Sequence, residues 1–186
     1  MAVLPIVHFP DPVLKTRCQD ITEINEELVS FAKDMAETMY AEHGIGLAAN
    51  QVARSIRMMT IDVEGAEDGS SLLTLINPVI TDSHGRTTYD EGCLSFPGVS
   101  VQVRRRDEIR LEAYGLQGEE IVVETGGLLS ICIQHEMDHL NGITFLDRLN
   151  PVKRKLVLRN YLADLEASQR SDELDRIAEL HGGDDE

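Results

Sequence analysis

From Ile24 onward the apolar residues Leu28, Phe31, Met35 and Met39 recur at spacings of three and four. That is the period of a helix burying one face, and Gly44 stands where such a helix can stop. The period then changes. Segments 56–62, 72–80, 99–103, 108–114 and 120–123 are rich in Val, Ile and Thr, and Ile109, Leu111 and Ala113 alternate with charged residues as in a strand with one wet face. After Gly126-Gly127 comes LLSICIQHEMDHL, apolar nearly all round at its start, which predicts a helix buried in the centre of the fold. Asn150-Pro151 supplies an N-cap and a first-turn proline, and Val152, Leu156, Leu158, Leu162 and Leu165 continue at roughly helical spacing. The remainder, SQRSDELDRIAELHGGDDE, is mostly polar and reads as exposed helix fraying into a disordered acidic tip.

With 186 residues, no internal repeat and no long Gly/Ser/Pro linker, the expectation is one domain over 1–186, with about 167–186 as a polar, acidic C-terminal extension. The composition, 42% hydrophobic and 27% charged, is that of an ordered globular chain. No apolar run reaches the roughly 18–20 residues of a membrane span, and the start MAVLPIVHFPDPVLKT lacks the pattern of a secretory signal. A cytoplasmic protein with no membrane contact is expected. The formal charge of −16 argues against DNA and general nucleic-acid binding. Cys18, Cys93 and Cys132 are an odd number without a paired framework, so reduced thiols are expected rather than a disulfide scaffold.

Within the buried helix lies His135-Glu136-Met137-Asp138-His139. Two histidines four apart project from one helix face and can converge on a single metal ion. Glu136 lies about 100° round from His135, close enough to reach a water beside the ion without ligating it, which suits a general base. Catalytic sites of this kind usually take a third protein ligand. A third histidine six residues after the second would sit at 145, but that position is Phe145. Glu166 lies at the separation of a downstream ligand, though in an acidic, solvated-looking segment. Cys132 shares the histidine face, yet 132 to 139 spans about 10.5 Å along the axis, too far for three side chains to meet on one ion. Cys93 lies in EGCLSFPG, where Gly92 and Pro97-Gly98 mark an irregular segment able to approach a ligand closely. As an isolated cysteine it would more often be a small buried hydrophobe.

Three stretches, GIGLAANQ at 44–51, EGCLS at 91–95 and QHEMDH at 134–139, resemble the motifs of the peptide deformylases in order and spacing. The resemblance extends from the N-terminal HFPDPVL to FLDRLNPVKR at the last helix. It implies an α+β fold, antiparallel or mixed β-sheets packed around a central HExxH-bearing helix with an N-terminal and a C-terminal helix, and removal of the formyl group from N-formylmethionyl nascent peptides.

Carried over by residue, the resemblance makes Cys93, His135 and His139 the ligands of one divalent ion, generally Fe2+, with Zn2+, Ni2+ or Co2+ also able to bind. Glu136 would be base and then acid, and the Gln51 amide and the Leu94 backbone N–H would hold the oxyanion. Ile45 and Gly46 resemble the segment that pairs with the substrate backbone, the absent side chain at 46 letting main chains approach. Gly92 flanks the ligand cysteine on the substrate side, and Leu128, Ile131 and Cys132 match residues lining the methionine pocket. Bacterial relatives also suggest docking on the ribosome through the C-terminal region, where Lys153, Arg154, Lys155 and Arg159 lie in an otherwise acidic chain. A monomer is expected. Two rivals have distinct signs. A metalloprotease would draw its third ligand from downstream, and a non-catalytic metal-binding, ribosome-associated module would have a damaged catalytic set.

Overall fold

A computed structural model describes residues 2–65 and 70–181, with side chains through 170. The chain divides after Arg148 into two compact units. In the first, α1 (Glu26–Ala41) and α2 (Gly127–Leu140) accompany seven strands: β1 (Gly46–Ala48), β2 (Met58–Ile61), β3 (Leu73–His84), β4 (Thr87–Gly92), β5 (Ser100–Arg105), β6 (Glu108–Tyr114) and β7 (Glu120–Gly126). They form a five-stranded sheet of order β1-β2-β3-β6-β7 and a two-stranded sheet of β4 and β5, all neighbours antiparallel. The fold is α+β.

Consecutive side chains on a strand point to opposite faces, and here both faces are covered. Leu47, Met58 and Ile76 pack with Leu28, Ala32, Met35 and Met39 of α1. Their immediate neighbours Ala48, Met59 and Leu75 pack with Cys132, Ile133 and Leu140 of α2. All four residues of β2 are therefore buried, the burial of a strand between two layers. β6 follows the opposite rule, its buried Ile109, Leu111 and Ala113 alternating with exposed Glu108, Glu112 and Tyr114.

The first helix begins at Asn25, a cap that its apolar spacing does not mark. Asn25 Oδ1 accepts from Leu28 N at 2.9 Å, meeting one of the N–H groups a helix start leaves open. Its end differs from expectation. Gly44 N–H donates to Met39 O at 2.8 Å and His43 N–H to Tyr40 O at 3.1 Å, the paired bonds of a Schellman ending. The left-handed residue is His43, at φ +56, rather than Gly44. Gly44 is small for another reason: a Cβ there would lie 3.0 Å from Leu94 Cδ1.

The second unit contains α3 (Pro151–His181), which opens on the expected cap, Lys153 N–H donating to Asn150 Oδ1 at 2.9 Å. The expected disordered acidic tip falls at 182–186, outside the described residues. No helix among the described residues is long and apolar enough to cross a membrane.

Candidate metal centre

The last two turns of α2 carry His135, Glu136 and His139, all buried. Cys93 follows β4 in a tight turn whose Phe96 N–H donates to Cys93 O at 2.9 Å. This turn brings the thiol to the helix. Cys93 Sγ lies 3.2 Å from His139 Nε2, and one donor atom from each of Cys93, His135 and His139 lies within 4.8 Å of the others. A thiolate and two imidazoles suit a borderline-soft divalent ion. Among the described residues no other group of three His, Cys, Asp or Glu is so arranged. Cys132 also stays out of the set. Its Sγ approaches Ile45 O at 3.5 Å, and burial, reinforced by the charges of Glu136 and Glu91, pushes its thiol well above the ordinary range.

Around the donors stand three groups named from the sequence. Gln51 is buried; its Oε1 accepts from Ala48 N–H at 2.8 Å, which turns Nε2 toward Cys93 Sγ at 3.6 Å and Ser95 Oγ at 3.3 Å. The amide is thereby fixed with its donor facing the centre. The Leu94 N–H makes no backbone hydrogen bond among the described residues. Glu136 Oε2 is buried with no hydrogen-bond partner, and burial, together with the charge of Glu91, raises its carboxyl to about 7 against the opposing pull of His135. A buried carboxylate oxygen without a partner is costly, and such groups concentrate where chemistry is done.

Gly46 acquires a nearer reason for its missing side chain than substrate approach. A Cβ there would come within 2.6 Å of Glu136 Oε1 and 2.7 Å of Cys132 Sγ. Gly46→Ala therefore displaces the carboxylate. We expect about a hundredfold loss of turnover, the order that a 1 Å misplacement costs, with bound metal unchanged; formate release and metal analysis check both. Ile45, beside it, is exposed, and β1 is an edge strand. Gly92 closes β4 opposite Ser100. Half-buried Leu128 and buried Ile131 lie on the first turns of α2, ahead of the histidines.

A set of residues not read from the sequence stands behind the donors. His135 Nδ1 pairs with Glu91 Oε2 at 2.8 Å; Arg105 Nε and Nη2 grip Glu91 at 2.6 and 2.8 Å, and Arg105 Nη1 reaches Asp138 Oδ2 at 2.6 Å. Arg148 holds the outer side of Asp138. Burial alone would raise the Glu91 carboxyl, but the hydrogen bonds from Arg105 and His135 outweigh it and hold it at about 2. The two histidines are driven apart: burial lowers both, hydrogen bonds with Cys93 and Glu91 carry His135 well above its ordinary value, and the neighbouring His135 keeps His139 well below. A signal for Arg105 was available. Val101 and Val103 face inward on β5, so the next inward position is Arg105, and a charge there implies a buried partner.

The family model described as Polypeptide deformylase matches residues 3–155. The chain belongs to the peptide deformylase family. It is 43% identical over 161 residues to a peptide deformylase of Syntrophobacter fumaroxidans, covering 87% of this chain and 95% of that one. With the Acinetobacter baumannii peptide deformylase it shares 46% over 158 residues, 84% and 89% of the two chains. Among solved structures, the Legionella pneumophila peptide deformylase superposes with a TM-score of 0.85 at 35% identity, covering 91% of this chain and 99% of that one. The Ehrlichia chaffeensis peptide deformylase in complex with actinonin gives 0.79 at 34%, covering 86% and 96%. Peptide deformylases remove the N-terminal formyl group of nascent peptides, so this is a metalloenzyme hydrolysing the formyl amide of N-formylmethionyl peptides.

Proposed function

We propose that the reaction is run by Glu136, Gln51 and Leu94 around one divalent ion, Fe2+ in preference to Zn2+, Ni2+ or Co2+, on a central HExxH-bearing helix. The observation that carries this reading is the meeting of Cys93, His135 and His139 beside Glu136, whose buried Oε2 has no hydrogen-bond partner. Held by those three side chains, the ion would act as a Lewis acid and sharpen the acidity of the attacking water. Glu136 takes the proton of that water and returns it to the departing amine, which a carboxyl near 7 suits in both directions. The Gln51 amide, locked by Ala48, and the Leu94 N–H face the oxyanion as the formyl carbon becomes tetrahedral. The substrate backbone adds to the open edge of β1 at Ile45 and Gly46. Gly92, Leu128, Ile131 and Cys132 line the path to the methionine side chain.

Metal analysis of Cys93→Ala and Glu166→Ala tests the ligand set. The first is expected to fall from one bound equivalent to a small fraction and the second to keep it; the reverse result restores the protease. We further propose a cytoplasmic monomer in one catalytic domain, which docks on the ribosome through the basic start of α3 at Lys153, Arg154, Lys155 and Arg159. A chain truncated at Asn150 is then expected to lose co-sedimentation with ribosomes, and undiminished sedimentation rejects that docking.

A further inference from the structure

On the side of α2 away from the reacting carboxylate, the acidic chain carries a basic concavity. A cavity of about 410 Å3 is lined by Arg86, Arg104, Arg106 and Arg148 together with Gln134 and Met137 of α2, in a molecule whose formal charge is −16. Arg86 belongs to the connection between β3 and β4, Arg104 to the outward face of β5, and Arg106 to the connection from β5 to β6. Gln134 fastens this region to α2: its Oε1 accepts from Arg106 N–H at 2.9 Å and its Nε2 donates to Arg106 O at 2.9 Å. That is a role for the first residue of QHEMDH which the metal centre does not need.

The acid that lines the cavity, Asp138, is already taken up by Arg105 and Arg148. The side chains of Arg86, Arg104 and Arg106 are exposed and have no hydrogen bond or ion pair among the described residues. Three guanidinium groups around one cavity repel one another and offer planar, forked donors that match phosphate oxygens. Asp107, whose side chain lies against Gly85, is not among the residues that line the cavity.

We propose that this cavity binds a small, multiply charged phosphate compound, an inorganic or nucleoside polyphosphate. Its volume lies in the range of small-molecule sites, roughly 300–1,000 Å3. A long polyanion such as RNA needs phosphate contacts spread along a surface, and the net charge of −16 opposes it.

Calorimetric titration of the metal-loaded full chain with inorganic pyrophosphate at near-physiological salt tests this. One equivalent is expected to bind. Affinity should fall about tenfold in each of Arg104→Ala and Arg106→Ala, and about a hundredfold in the double variant, since each removes a charge-assisted hydrogen-bonding group. Arg86→Ser, in an exposed connection, should weaken binding by a smaller factor and serves if the double variant does not fold. Absence of binding heat overturns the proposal. So does affinity unchanged in all variants, which would report chelation of the metal, or sulfate binding as tightly as pyrophosphate. Tighter binding of a single-stranded RNA oligonucleotide at the same salt also overturns it.

Discussion

Glu136→Gln is expected to release formate from formyl-Met-Ala-Ser about a hundred- to ten-thousand-fold more slowly than the unaltered enzyme, the range ascribed to a positioned acid–base group, while binding the same amount of metal. The separation of the two readouts follows from the geometry. Glu136 lies outside the Cys93, His135 and His139 donor set, so the ligands stay in place. The amide keeps the shape of the carboxylate and cannot accept the proton of water at neutral pH. Stability is expected to hold or rise, because the replaced Oε2 has no partner to lose and burial already disfavours its charge. Equal rates for the two proteins would remove Glu136 from the reaction. A fall in bound metal matching the fall in rate would make it a ligand instead.

The second large effect is on stability. Glu91→Ala is expected to destabilise the fold by about 3–5 kcal/mol, the cost of breaking a buried pair by removing one partner, and to weaken metal binding about 10- to 100-fold, as loss of a group orienting a ligand histidine does. The side chains of Glu91 and Arg105 are 4% and 3% exposed, so water does not replace the lost contact. Arg105 would keep Asp138 alone, and His135 Nδ1 would lose its carboxylate. The acid limb of the stability curve carries a further sign. Because Glu91 is held at about 2 against an ordinary 4.5, its contribution is complete above 4.5 and is lost as pH falls toward 2. Glu91→Gln should flatten that limb. Denaturant titrations at neutral and acid pH measure both effects, and equal midpoints in the two proteins would show the pair contributes nothing net.

Legibility from the sequence varied with how local each cause is. β6 was readable to its ends because Ile109, Leu111 and Ala113 alternate with wet positions, and the Asn150 cap was readable because a cap is a contact three residues long. β1 and β4 were not. Gly46–Ala48 has three residues and no alternation, and Thr87–Gly92 is mostly polar; each is a strand because β2 or β5 supplies its hydrogen bonds. The site divides in the same way. Two histidines and a glutamate follow from helix geometry, whereas the choice of Cys93 over Glu166 needed the family resemblance. The group formed by Glu91, Arg105 and Asp138 joins residues 14 and 33 positions apart. No periodicity links them, although both acids lie inside motifs already singled out.

The edge position of β1 has a cost outside catalysis. A row of backbone groups left open to a guest strand is equally open to the same strand of another copy, which is how sheets propagate into aggregates. Two features restrain that outcome. The edge is three residues long, too short to hold a second chain by hydrogen bonds alone, and a net charge of −16 keeps copies apart over the distance at which pairing would begin. The acidity of the chain thus protects an edge that the proposed substrate pairing needs open.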